Sequence, residues 1–168
     1  MKTYTDIVKG FYAPLQPAIG VTLTEVDTVA PRPALPFASY KVLVPRIVQH
    51  GAMSGHLERF EEDGQTKERR TTDIEATFSL HFFAKSSTAA WTLAGTAHEY
   101  LDFSGQTELL RKGLIVVECT DPQDRTLYLG DAFEYRVGFD VRFRVKEEMV
   151  RVIDTFEAAD VEQQASEN

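Results

Sequence analysis

Phe133-Glu134-Tyr135-Arg136-Val137-Gly138-Phe139-Asp140-Val141-Arg142-Phe143-Arg144-Val145 alternates almost without fault. Apolar and aromatic residues hold the odd positions, and charge or glycine holds the even ones. A period of two predicts a β-strand with one face packed and the other wet. At roughly 3.3 Å per residue it spans on the order of 40 Å, well beyond a strand of five or six residues. Such a strand has to be the spine of an antiparallel sheet.

A second strand of this kind is predicted over Lys67 to Ala84. Ile74, Ala76, Phe78, Leu80 and Phe82 fall on one face and Asp73, Glu75, Thr77, Ser79 and His81 on the other. Its polar start, Lys67 to Asp73, reads as an arm reaching past the core. Asp63-Gly64 ahead of it is a hairpin signal, and Glu61-Glu62-Asp63 is a solvated turn rather than a cation loop, because it lacks the alternating ligand spacing. Phe37 to Val44 is a further strand, fed by the extended run Ala30-Pro31-Arg32-Pro33-Ala34-Leu35-Pro36 and stopped by Pro45. Short strands are expected at Val21–Val26 and Leu114–Glu118. Ile47 to Phe60, with Gly51 and Gly55, is expected to bend. Asp121 to Arg125 reads as a turn. A last strand, Met149 to Phe156, is expected after a turn at Lys146-Glu147-Glu148.

Helical spacing appears twice. Ile7, Val8, Phe11, Tyr12 and Leu15 share one face of an N-terminal helix, capped by Thr5 or Asp6 and closed by Pro14 and Pro17. Ser86 or Ser87 caps the main helix, Thr88 to about Phe103, with Ala90, Trp91, Ala94, Ala97, His98 and Leu101 inward. Further turns over Gln106 to Lys112 end at Gly113. The fold class is therefore α+β: an antiparallel, or mixed, twisted sheet with long strands and hairpins, packed on one main helix and an N-terminal helix.

A chain of 168 residues with 43% hydrophobic residues makes one domain that buries roughly 70% of its unfolded surface. We place that domain at residues 1–156. Residues 157–168 are an acidic, flexible tail without aromatics. Between Glu147 and the end, seven carboxylates stand against Arg151 alone, which supplies six of the eight net negative charges. The body is close to neutral and has no basic footprint for nucleic acid. The single cysteine, Cys119, forms no internal disulfide and reads as a small buried residue in a strand. The N-terminus lacks the apolar core of a signal peptide, and no run approaches a membrane span. These features suit a soluble protein made in a reducing cytoplasm.

Reaction chemistry is not visible. His50, His56, His81 and His98 lack metal-site spacing, and there is no nucleophile elbow or phosphate loop. No cofactor, metal or catalytic residue is assigned. His50 and His56 share a loop without making a site. His98 reads as a hydrogen-bonded residue at the core edge. Arg136, Arg142 and Arg144 share the wet face of the long strand with Glu134 and Asp140. Two readings stand: a solvated or helix-covered face with weak cross-strand ion pairs, or a subunit contact that uses mixed charge to fix register. The arm, with Lys67, Arg69 and Arg70 among Glu61, Glu62, Asp63, Glu68, Asp73 and Glu75, poses the same choice.

Pro31-Arg-Pro-Ala-Leu-Pro-Phe-Ala-Ser-Tyr40 resembles the opening of a phage neck or tail terminator-like family. The order that follows is similar too: Leu80-His-Phe-Phe-Ala-Lys85 into a Ser-capped helix, then Arg111-Lys-Gly-Leu-Ile-Val116, then Phe133-Glu-Tyr-Arg-Val-Gly-Phe-Asp-Val-Arg-Phe143. The likeness runs from Tyr4 to Phe156 and leaves the acidic tail outside. It implies a virion structural protein and not an enzyme. Such proteins form a ring, usually hexameric, on the head-proximal end of a finished tail, where they cap the tube. The partners implied are tail tube and sheath proteins, neck and head-completion proteins, and DNA passing through the lumen without specific binding. Assembly would take place in the host cytoplasm. Lys67, Arg69, Arg70, Arg136, Arg142 and Arg144 are the candidate subunit-interface residues. Another phage assembly component fits the same pattern. A different class remains: a cone-shaped ligand-binding or isomerase-type domain, with Tyr4, Phe11, Tyr12, Trp91, Phe133 and Tyr135 lining a pocket near His98 and Asp140.

Overall fold

Two strands of twenty residues each, β4 (Gln65–Ala84) and β8 (Phe133–Val152), pair antiparallel over their length and form the axis of the molecule. The computed structural model describes residues 3–26, 30–48 and 55–153. Preceding β4 are α1 (Tyr4–Ile19), β1 (Thr22–Glu25), β2 (Phe37–Val48) and β3 (His56–Glu62). Between the two long strands lie α2 (Ser87–Glu99), a π-helical turn (Tyr100–Ser104), α3 (Gln106–Arg111), β5 (Ile115–Cys119), β6 (Gln123–Asp124) and β7 (Leu127–Tyr128). The sheet is mixed, ordered β1-β2-β4-β8-β5, with β1 parallel to β2 and the remaining pairs antiparallel. β3 continues the β2 side of β4, while β6 and β7 flank β8. This is the α+β architecture expected.

The core lies between one face of the sheet and the helices. Ile74, Ala76, Phe78, Leu80 and Phe82 face it from β4, and Val137, Phe139, Val141, Phe143 and Val145 from β8. Phe11 of α1 sits at its centre, stacked 5.1 Å from Phe143 and edge-on to Phe78 at 5.1 Å and Tyr40 at 5.8 Å. On α2 the buried residues are Ala90, Ala94 and Ala97, whose small side chains let the helix lie close to the sheet. Trp91 is not inward as expected: it is 42% exposed, since the alanine stripe alone fills the contact.

Several boundaries differ from those read in the sequence. Pro14 and Pro17 do not close α1 but lie within it, and Gly20 ends it at φ 69°. The N-cap is Thr3, whose N–H donates to Asp6 Oδ2 at 2.9 Å. Pro45 does not stop β2; the strand absorbs it through register shifts between Val42 and Val44 and between Val44 and Ile47. No turn occurs at Lys146-Glu147-Glu148. β8 runs through to Val152, and the expected strand from Met149 is its second half. The main helix gives way at Tyr100 to a π turn, where the Gly105 N–H bonds the Tyr100 carbonyl at 2.7 Å. The hairpin turn at Asp63-Gly64 is as expected, with φ of 55° and 71°. Gly113 caps α3 at φ 76°. His50, Gly51 and the acidic tail lie outside the described residues.

Candidate functional site

All three helices pack on one side of the sheet. The other side carries polar and aromatic residues, arranged by the alternation in β4 and β8. At one end Phe37 and Phe83 stack at 4.5 Å. The Arg32 guanidinium lies over both rings, 5.1 and 5.0 Å from their centroids, and pairs with Glu134. The Arg136 guanidinium also lies over Phe83, 5.8 Å from its centroid, and donates from Nε to the Arg125 carbonyl at 3.0 Å.

Next along the strands comes Arg125. Its guanidinium donates to Ser79 Oγ at 2.7 Å and Asp140 Oδ1 at 3.1 Å, and meets His81 Nδ1 at 3.3 Å. Ser79 Oγ also donates to Asp140 Oδ1 at 2.6 Å. The crossing depends on Gly138, the one position of the alternating stretch where glycine replaces charge. A Cβ there would lie 2.6 Å from the Leu80 carbonyl oxygen and 3.0 Å from Arg125 Nη1. Burial, with Arg125 and Arg136 adding like charge, pushes the His81 pKa down to about 4. The ring is therefore neutral at pH 7.

Further along, Glu75 is buried to 1% exposure. Arg144 clamps its Oε1 from Nε at 2.9 Å and Nη2 at 2.7 Å, and Arg142 Nε lies 3.5 Å from Oε2 while its Nη2 reaches Glu118 at 2.7 Å. A carboxylate this enclosed depends on its partners. The ladder is not the row of solvated pairs that alternation alone suggests.

Below Ile74 and Val145 the apolar core stops, but the strands go on. β3, the first third of β4 and the end of β8 form a three-stranded arm. Here the inward rows become polar: Thr72 beside Glu147, Arg70 beside Met149, Glu68 beside Arg151. Glu147 is fully buried and takes Arg46 Nη2 on Oε2 at 2.5 Å. Glu68 accepts two bonds from Arg151 and lies 3.7 Å from Arg59 Nε. The Arg151 guanidinium holds its carboxyl below the usual carboxylate range.

Of the candidate interface residues, Lys67, Arg69 and Arg70 sit together on β4 within the arm. Lys67 pairs with Glu62 at 2.8 Å. Arg69 pairs with Glu58 at 3.3 Å and covers the Phe60 ring at 4.7 Å. Arg136, Arg142 and Arg144 line the open sheet face, separated from the arm along the strand. Sequence reasoning missed Arg125 and Arg32, which come from irregular segments, and Arg46, which lies on the bulged second half of β2. The only local sign was the glycine at 138.

A ligand pocket lined by the six aromatics does not form. Phe11 is in the core, Trp91 and Phe133 are exposed, and the set does not converge. His98 packs edge-on to Phe139 at 5.3 Å on the helix side, with no hydrogen bond to Nε2 among the described residues, so it is not the hydrogen-bonded residue expected. Asp140 faces the opposite side of the sheet. Cys119 is half-buried, and burial pushes its thiol up to about 12, which leaves it protonated and inert. No group of three or more metal-type ligands occurs among the described residues, and no helix there is long and apolar enough to cross a membrane.

A family model described as phage neck terminator protein matches residues 5–167. The match continues through the acidic stretch that the sequence resemblance left outside. No curated protein matches the chain.

Proposed function

The chain belongs to the phage neck terminator protein family, and from that premise we propose that it is the subunit of a closed ring, a hexamer, that caps the tail tube and joins tail to head. The family is a structural one of the virion neck, so its partners are other head and tail proteins. The finer reading rests chiefly on one observation. β4 and β8 continue past the point where the apolar core ends, into an arm on which the described residues of a single copy leave Leu57, Val150 and Val152 exposed.

In this reading residues 1–156 act as one domain, with 157–168 as its acidic tail. Lys67, Arg69 and Arg70 on the arm, and Arg136, Arg142 and Arg144 on the open sheet face, meet neighbouring subunits. Tube and sheath proteins dock on one ring face and neck or head-completion proteins on the other. The lumen lets DNA pass without gripping it, because the cations of the sheet face and arm lie among carboxylates such as Glu75, Glu68 and Glu147. No catalysis is required.

The test is removal of the gene followed by imaging of the lysate. Tails of uncontrolled length without heads, restored to full particles by adding purified protein, are the expected outcome. Tails of normal length joined to heads in its absence would overturn the proposal.

A further inference from the structure

The arm has two open edges. β3 bonds only β4 among the described residues, and so does β8 from Lys146 to Val152, because β5 leaves it at Arg144. Both edges are seven residues long. Neither contains proline, and neither pairing is broken by a bulge: the register runs from His56↔Thr71 to Glu62↔Gln65 and from Lys67↔Val152 to Asp73↔Lys146 without a shift. β2, by contrast, carries Pro45 and two register shifts. Straight edges of this length, without proline or bulge, are templates for another strand, even though both also carry charge. Exposed apolar side chains sit on both, Leu57 on β3 and Val150 and Val152 on β8.

β3 and β8 both run antiparallel to β4, so they run parallel to each other on opposite sides of the ribbon. Their sequences differ, and so does their charge. β3 carries Glu58, Glu61 and Glu62 against Arg59, whereas the β8 edge carries Lys146 and Arg151 beside Glu147 and Glu148. β3 has three acids against one arginine, while the β8 edge has two of each, so pairing β3 with β3 about a two-fold axis brings two net-negative edges together. Pairing β3 with β8 sets it against an edge without net charge, with Arg151 beside Arg59 at level register and each guanidinium near a Glu68, and leaves one edge of each kind free at the ends, the condition for a ring rather than a dimer.

We propose that the β8 edge of one copy, Lys146–Val152, pairs as a parallel strand with the β3 edge of the next, His56–Glu62, so that the arms form one continuous sheet around the ring. This rests on the ring reading above. At level register Met149 lies beside Leu57 on the inner face and Val152 beside Phe60 on the outer.

Disulfide capture tests it, in a Cys119→Ser background. Leu57→Cys and Met149→Cys are placed in the same chain. Within one copy these positions flank Arg70 from either side of β4, two strand spacings or roughly 10 Å apart, beyond the ~7 Å that a disulfide spans. Any bridge therefore joins two copies. A second pair, Arg59→Cys with Met149→Cys, covers a stagger of two residues. The expected result, on assembled particles oxidised and run without reductant, is a ladder of covalent multimers for one of the pairs. A mixture of the two single variants should stop at dimer. A ladder from neither pair, with multimers present by light scattering, overturns the edge pairing and leaves the ring. Dimer from Leu57→Cys alone shows β3 pairing with itself and overturns it too. A chain that is monomeric and absent from particles overturns both. As an independent readout, backbone amides of 56–62 and 146–152 gain hydrogen-exchange protection on assembly; unchanged exchange counts against the pairing even where a variant misfolds.

Discussion

Gly138 is where a single absent methyl group decides what the open sheet face can hold. Every other even position of its stretch carries charge, and only here does Arg125 lie across the strand to reach Ser79, His81 and Asp140. Gly138→Ala forces the Leu80 carbonyl or the guanidinium to move, and should cost about 1–3 kcal/mol, read as a drop in urea midpoint. Glu75 is the second decisive residue. Removing it in Glu75→Ala leaves Arg142 and Arg144 without their shared carboxylate, although both reach water. A loss of about 2 kcal/mol is expected, and Glu75→Gln should lose less. His81 gives a pH signature. It titrates near 6.5 when unfolded and at about 4 when folded. Between those values the unfolded chain binds a proton that the folded chain refuses, so stability is fully present above pH 6.5 and falls as pH drops toward 4. Unfolding curves at pH 7 and pH 5 should diverge more for the native chain than for His81→Gln. Cross-strand ion pairs on the wet face were one reading of the sequence, and Glu75 with Arg144 fits it, but the partners that arrive from elsewhere were not legible. Arg125 and Asp140 are fifteen positions apart, and Arg46 and Glu147 a hundred and one. Alternation tells which face a residue takes, not what arrives there from elsewhere.

Among the elements, the long strands were legible because period two persists over many residues and burial enforces it. Their ends were not. Lys146-Glu147-Glu148 looks like a turn because three charges interrupt the apolar pattern, yet Glu147 points inward to Arg46 and the ladder to β4 continues. The prolines misled in the same way. α1 tolerates Pro14 and Pro17 because Ile7, Phe11, Leu15 and Ile19 are anchored in the core, and tertiary packing outweighs the lost backbone bonds. Pro17 is exposed and contributes little to that packing. Pro17→Ala restores an N–H toward the Ala13 carbonyl, and should raise unfolding free energy by about 1–2 kcal/mol, seen as a higher Tm. The π turn, by contrast, is locked. A Cβ on Gly105 would lie 2.4 Å from the Tyr100 ring, whose hydroxyl is held by Glu108 at 2.8 Å.

At the scale of the molecule, one end of the sheet is a packed two-layer body and the other a polar ribbon. Stability follows that division. Amides of Phe78 to Phe82 and Phe139 to Phe143 should exchange only on global unfolding, while those of Gln65 to Thr71 and Glu148 to Val152 exchange through local opening in the free chain. Uniform protection along β4 would contradict this. The arm itself was legible, since its polar composition cannot build a core. That a body and an arm share the same two strands follows from their unbroken register.

That register has a mechanical meaning. Eighteen residue pairs join β4 to β8 side by side from one end of the sheet to the other. A load pulling the two strands apart along their length would stress these bonds in shear and all together, whereas a load across them would peel one pair at a time. On the proposed reading, a subunit that joins head to tail would best resist rupture with these strands aligned to the pull.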